Sequence, residues 1–252
     1  MLTLHALTTG YRHTIISQHL NATLPQGTLT ALLGTNGAGK STLLRTLARF
    51  QPPLAGSISW QGTDTAQLSA RQLARTMSVV LTFKPEAEAL TAAEVVEMGR
   101  IPYTTMLSGT TETDRQAVEQ AMQLTHTTPF AHRPISTLSD GERQRVFIAK
   151  ALAQNTPVIL LDEPTAFLDF PAKIATMRLL KKLAHDAQKT ILLSTHDVEL
   201  ALHMADNLWL LNQQTLTSGS PQLLAANGCI SRFFNTEGVQ FDAATMRFDM
   251  RD

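Results

Sequence analysis

The 252-residue chain has one cysteine, Cys229, so an internal disulfide is impossible, and a reducing compartment is the expected setting. It also lacks a dominant charge: 21 Lys and Arg face 21 Asp and Glu, for a formal net charge of zero. An unaided nucleic-acid binder normally carries a basic excess, so no nucleic-acid partner is expected, although a local basic groove remains compatible with neutrality. No apolar run exceeds four residues, far short of the roughly 20 that a helix needs to cross a bilayer. Residues 1–10 show neither a charged n-region nor an apolar h-region, so no secretory signal is expected. Repeats, low-complexity tracts and flexible tethers are missing as well. The absences describe a soluble cytoplasmic chain, long enough for a core of its own, and leave its chemistry open.

What is present is an alternation of short strands and helices. Turn clusters at Pro25-Gln26-Gly27, Pro52-Pro53, Gln61 to Asp64, Ser108-Gly109 and Ser218 to Pro221 punctuate the chain. Residues 1–6, 28–33 and 57–60 read as strands, and a helix over 40–50 leaves a glycine-rich loop. Ser69 with Gln72 and Thr91 with Glu94 fit capping boxes, and apolar residues at 117, 118, 121, 122 and 124 give a helical face. Residues 83–136 therefore read as a helical insert between strand-rich halves. Val158 to Leu161 and Thr190 to Leu193 are short apolar runs of the kind found in buried parallel strands, with helices near 142–153, 172–187 and 197–204. The pattern predicts an α/β domain with a largely parallel sheet.

Gly34-Thr35-Asn36-Gly37-Ala38-Gly39-Lys40-Ser41 fits G-x-x-x-x-G-K-[ST] between an apolar strand and a helix. Glycines let backbone N–H groups turn toward phosphate oxygens, Lys40 reaches the β- and γ-phosphates, and Ser41 can ligate Mg²⁺. The helix aims its positive end at the same anion. Asp162 and Glu163 close the apolar run Val158 to Leu161. Hydrolysis needs a second contact to Mg²⁺ and a group that orients water, and these two carboxylates supply them.

Leu138-Ser139-Asp140-Gly141-Glu142, followed by Arg143 to Ala153, reads locally as a capping box opening an amphipathic helix. In a P-loop chain, however, it resembles the LSGGQ signature of the ATP-binding cassette ATPases, and the resemblance runs from about residue 1 to 219. The resemblance implies a P-loop core with a mostly parallel sheet, an N-terminal antiparallel strand-rich part and an inserted helical subdomain, all in one cassette domain spanning 1–252. Residues 220–252 form a C-terminal extension. It further implies that two copies pair head to tail, so that Ser139 and Gly141 face the ATP held by the partner's P-loop. Tyr11 resembles the aromatic that stacks on adenine, Asp169 the interface aspartate, and His196 the switch histidine that contacts the γ-phosphate. Nucleotide contacts are thus expected from Tyr11, residues 34–42 including Thr42, Ser139, Gly141 and Asp169, and catalysis from Lys40, Glu163 and His196.

Two positions depart from the family pattern. Thr82 stands where a glutamine usually follows the strand before the insert, leaving Ser41, Asp162 and Thr82 as the expected metal set. Asp140 replaces a glycine of the signature and is expected to point away from the nucleotide. Glu94-Val-Val-Glu-Met-Gly99-Arg100-Ile-Pro102-Tyr103 resembles a segment of the importer branch that carries iron-siderophore complexes, haem and cobalamin. That implies integral membrane permease subunits, a separate substrate-binding protein and a peripheral location on the cytoplasmic face of the inner membrane. An exporter cassette, a cassette acting on ribosomes or DNA, and a P-loop small-molecule kinase are the alternatives; the kinase has no use for the 138–142 segment.

Overall fold

The computed structural model describes residues 1–12, 14–81, 89–104, 109–212, 215–234 and 238–250. The strands up to residue 219 form two sheets among the described residues. In the first, β1 (Leu2–Tyr11), β2 (Thr14–Leu24), β4 (Ala55–Trp60) and β5 (Thr63–Asp64) form an antiparallel sheet in the order β2-β1-β4-β5. Strand β2 was not legible from alternation, because its buried positions include Ser17 and its register against β1 shifts around His19, whose φ is +53°. A bulged strand scrambles the period of two on which strand recognition rests.

The second sheet comprises β3 (Leu29–Leu33), β6 (Met77–Val80), β7 (Val158–Asp162), β8 (Thr190–Ser194), β9 (Asn207–Leu211) and β10 (Leu216–Gly219), in the order β10-β9-β3-β8-β7-β6. All pairs are parallel except β9 with β10. Every residue of β3, β7 and β8 is buried, which explains their unbroken apolar composition. Helices cover both faces. On one, α6 (Phe170–Asp186) and α7 (Val198–Met204) pack Met177, Leu180 and Leu202 onto Leu29, Ile159 and Ile191. On the other, α1 (Lys40–Leu47) packs Leu43, Leu44 and Leu47 between this sheet and the antiparallel one.

A third cluster belongs to the helices between β6 and β7. There α3 (Ala92–Glu97), α4 (Glu112–Leu124) and one face of α5 (Asp140–Ala153) bury Val95, Val96, Val118, Met122, Val146 and Ala149 together. The boxes Ser69/Gln72, Thr91/Glu94 and Ser139/Glu142 all form as reciprocal caps. The segment Gly99 to Tyr103 is a structural knot. Gly99 packs against the Lys150 carbonyl with no room for a Cβ. Buried Arg100 donates Nε to Asp114 Oδ1 at 2.8 Å and Nη1 to the Ala153 carbonyl at 2.7 Å, with its guanidinium 4.0 Å from the Tyr103 ring centroid. Arg71 and Arg75, on α2 (Ala70–Thr76), donate to the Pro102 carbonyl from outside.

After β10, α8 (Pro221–Ala226), α9 (Cys229–Phe233) and the hairpin β11–β12 (Val239–Asp242, Arg247–Met250) complete the described chain. Phe233, Phe234, Phe241 and Phe248 meet edge-on or tilted at centroid distances of 4.9–5.6 Å, forming a small apolar contact. Among the described residues, no helix is long and apolar enough to cross a membrane.

Candidate active site

The parallel register brings three strand ends to one edge. Leu32 of β3 lies beside Ser194 of β8, and Ser194 beside Asp162 of β7. The loop leaving β3 therefore opens directly over the carboxyl ends of its neighbours, where open α/β sheets bind ligands. In that loop Gly37 and Gly39 have φ of +79° and +98°. A Cβ on Gly39 would lie 2.5 Å from Ile16 Cγ2 on β2, so both the backbone turn and the close strand demand glycine. Gly39 is the N-cap of α1 without any side-chain cap, which leaves the first N–H groups of the helix facing the loop.

Lys40 is 7% exposed, and its Nζ donates to the carbonyls of Gly34 at 2.8 Å and Thr35 at 3.3 Å. Burial lowers its pKa, while the Glu163 and Asp162 carboxylates pull it back up. Ser41 Oγ donates to Asp162 Oδ1 at 3.2 Å. Thr42 Oγ1 donates to Tyr11 Oη at 3.3 Å, which fixes the half-exposed Tyr11 ring beside the start of α1.

Across the edge, Glu163 has φ of +50°, a strained conformation for a residue with a side chain. Its N–H donates to Ser194 Oγ at 3.0 Å, and Ser194 Oγ donates to Asp162 Oδ1 at 2.6 Å. One hydroxyl thus orients both consecutive acids. Its position was visible one strand-end residue before the Thr195-His196 pair, but a lone serine gives no signal until the register is known. His196 Nε2 lies 2.5 Å from Glu163 Oε1. Beyond them, Thr165 and Lys173 both bind Asp197, tying the 163–169 turn to the residue before α7.

Ser139, Gly141 and Asp169 lie elsewhere. With Phe167 and Leu168 they line a groove of about 1200 Å³ between α4, α5 and α6, and none of residues 34–42 lines it. Ser139 Oγ donates to Glu142 Oε2 at 3.0 Å and accepts the Glu142 N–H at 3.3 Å. Asp169 Oδ1 caps α6 through the Ala172 N–H at 2.9 Å. Asp140 turns along its own helix, where Oδ1 accepts from Arg143 Nη1 at 3.2 Å. Thr82 lies outside the described residues.

A glycine loop on a parallel strand, a lysine at its rim and a strand-end acid pair define a P-loop nucleoside triphosphatase. A family model described as ABC transporter matches residues 17–166, more than half of the chain. The achromobactin transport ATP-binding protein of Dickeya dadantii is 38% identical over 237 residues, covering 94% of this chain and 88% of that one. The petrobactin import ATP-binding protein of Bacillus anthracis is 39% identical over 232 residues, covering 92% and 85%. A dimeric cassette solved in a post-hydrolysis state with ADP and phosphate superposes with a TM-score of 0.78 at 28% identity, covering 88% of this chain and 99% of that one. The chain belongs to the ABC transporter family and is an ATP-binding, ATP-hydrolysing cassette.

Proposed function

We propose that this ATPase powers an importer for an iron-siderophore, haem or cobalamin-type complex. Two copies would act head to tail beneath a separate membrane permease at the cytoplasmic face, with a substrate-binding protein delivering the cargo. The transport names of the relatives support the branch, and so does the Glu94 to Tyr103 segment. The observation that carries the shared site is the separation of the two half-sites. The P-loop, Asp162, Glu163 and His196 gather at the sheet edge, whereas Ser139 and Gly141 line a groove that residues 34–42 do not reach.

The donors fit the metal such a nucleotide carries. Ser41 Oγ and Asp162 Oδ1 are hard oxygens 3.2 Å apart, the ligand class Mg²⁺ prefers. Ser41 and Asp162 would hold Mg²⁺, which would supply charge neutralisation to the phosphates. Lys40 and the N–H groups of residues 37–41 hold the phosphate oxygens, with Tyr11 under the adenine. Glu163 orients a water and takes its proton as the water oxygen bonds to the γ-phosphorus. The bond from that phosphorus to the β–γ bridging oxygen breaks, and the electron pair leaves with ADP. His196, whose Nε2 meets Glu163 Oε1 here, would turn that N–H to a γ-phosphate oxygen once the nucleotide is bound, freeing Glu163 for the water. The partner's copy of the Ser139–Gly141 turn closes over that phosphate, and Asp169 lies at the seam; Thr82, by its sequence position, would join Ser41 and Asp162 in holding the metal. For the permease, the docking surface is the groove of about 540 Å³ where Met98 and Ile101 lie exposed beside Arg115 and Met122.

Glu163→Gln tests the assignment. ATP turnover should fall by at least about a hundredfold, the lower end of what a general base contributes, while ATP binding persists and a dimer accumulates. Unchanged turnover would remove Glu163 from this role.

A further inference from the structure

The turn that faces the partner's γ-phosphate carries two carboxylates, Asp140 and Glu142, in a place built to receive an anion. A carboxylate at a helix start is favourable on its own, yet each would repel a phosphate brought against the same turn. Protonation does not remove the problem for Glu142. Hydrogen bonds from the Ser139 N–H and hydroxyl, with the Arg133 guanidinium nearby, hold it below the usual carboxylate range.

Two arginines bracket these acids in the same way. Arg143 places Nη1 on Asp140 Oδ1 at 3.2 Å and Nη2 on the Leu138 carbonyl at 3.2 Å. Arg133 places Nη1 on Glu142 Oε1 at 3.4 Å and Nη2 on the Thr137 carbonyl at 2.7 Å. Each guanidinium therefore has one side on the backbone of the preceding turn and the other on a carboxylate. The fork geometry of arginine serves both partners at once, which a lysine could not do. Asp140 is drawn along its own helix off the turn, whereas Glu142 stays on it, accepting the Ser139 N–H at 2.9 Å, and has its charge matched by Arg133.

We infer that Arg143 and Arg133 are positioning residues for the shared ATP site, Arg143 drawing the Asp140 carboxylate off the signature turn and Arg133 neutralising Glu142 upon it, so that the turn can accept the partner's γ-phosphate. The inference rests on the head-to-tail reading above. It assigns the arginines an electrostatic task distinct from holding the 135–138 turn in shape.

The test uses the full chain carrying Glu163→Gln, and reads the ATP-dependent monomer–dimer equilibrium by sedimentation at low and high salt. Arg143→Gln keeps a donor for the Leu138 carbonyl and removes the charge. Dimerisation should weaken on the order of tenfold at low salt, with the loss shrinking as salt screens it. Adding Asp140→Gly should restore it. Arg133→Gln with Glu142→Gln repeats the design on the second pair. If Arg143→Gln has no effect while the parent dimerises, the inference falls and the shared-site reading stands. If Asp140→Gly gives no rescue, the arginine serves only the turn and the inference is again overturned. If the parent forms no ATP-dependent dimer at all, the shared-site reading falls and takes the inference with it.

Discussion

Asp114→Asn isolates the interaction that knots the helical lobe together. The Asp114 side chain is 4% exposed and that of Arg100 9%, so the substitution leaves a guanidinium buried without its carboxylate. Removing one partner of a buried pair costs about 3–5 kcal/mol. The lower end applies here, since Arg100 keeps the Ala153 carbonyl and the Tyr103 ring face. Asparagine can still accept the Thr111 N–H, so loss of the α4 cap adds little. At about 2–4 °C per kcal/mol for a chain of this size, a 3 kcal/mol loss lowers the melting temperature by about 6–12 °C. Calorimetry with the two proteins side by side measures it, and hydrogen exchange should place the loss in α4 and α5. The pH dependence gives a second reading. Bonds from Thr111, then Arg100, hold Asp114 at about 2, against an ordinary value of 3.8. A carboxylate depressed in the folded state stabilises fully above its unfolded value and loses that contribution as pH falls toward the folded one. The gap between wild type and Asp114→Asn should therefore be constant above about pH 4 and close between pH 4 and 2. A melting shift under 2 °C at pH 7, or a gap unchanged below pH 4, would refute the reasoning.

Ser194→Ala removes the hydroxyl shared by Asp162 and the strained Glu163 N–H; turnover should fall about tenfold with nucleotide affinity nearly unchanged, as steady-state kinetics beside titration calorimetry can show. An equal loss in both quantities would assign Ser194 to binding instead. Gly39→Ala forces a Cβ into Ile16 at a φ of +98°, and should weaken ATP binding about tenfold or more, with the melting temperature of the nucleotide-free chain lowered only slightly. Wild-type affinity in that variant would mean that the loop tolerates another path.

The elements most legible in the sequence were those written in one local code. Apolar runs marked β7 and β8, reciprocal caps marked α2, α3 and α5, and the glycine spacing marked the phosphate loop. Strand β2 escaped because a bulge at His19 and a buried Ser17 erase its alternation. The helix leaving the loop ends at Leu47, short of the expected residue 50, as the chain turns through Arg49 at φ +56°. The C-terminal hairpin was not legible, since its two four-residue strands bury one position between them, Phe241, and carry almost no period. In the site, Lys40, Asp162, Glu163 and His196 announced themselves by motif. Ser194 did not, because its importance comes from lying between β3 and β7 in the sheet, a relation that no single segment encodes. Arg100 binds the Ala153 carbonyl and the buried Asp114 carboxylate, and Tyr103 lays its ring against that guanidinium, so both serve the helical lobe.

The central claim is that each ATP is held by the P-loop of one copy and the Ser139–Gly141 turn of another. Complementation tests it most directly. Chains carrying Lys40→Ala, and chains carrying Ser139→Arg, should each be inactive alone. Mixed, they form heterodimers in which one site joins an intact P-loop to an intact signature turn, so ATP turnover should rise well above the sum of the separate preparations. A mixture no more active than that sum would contradict the shared site.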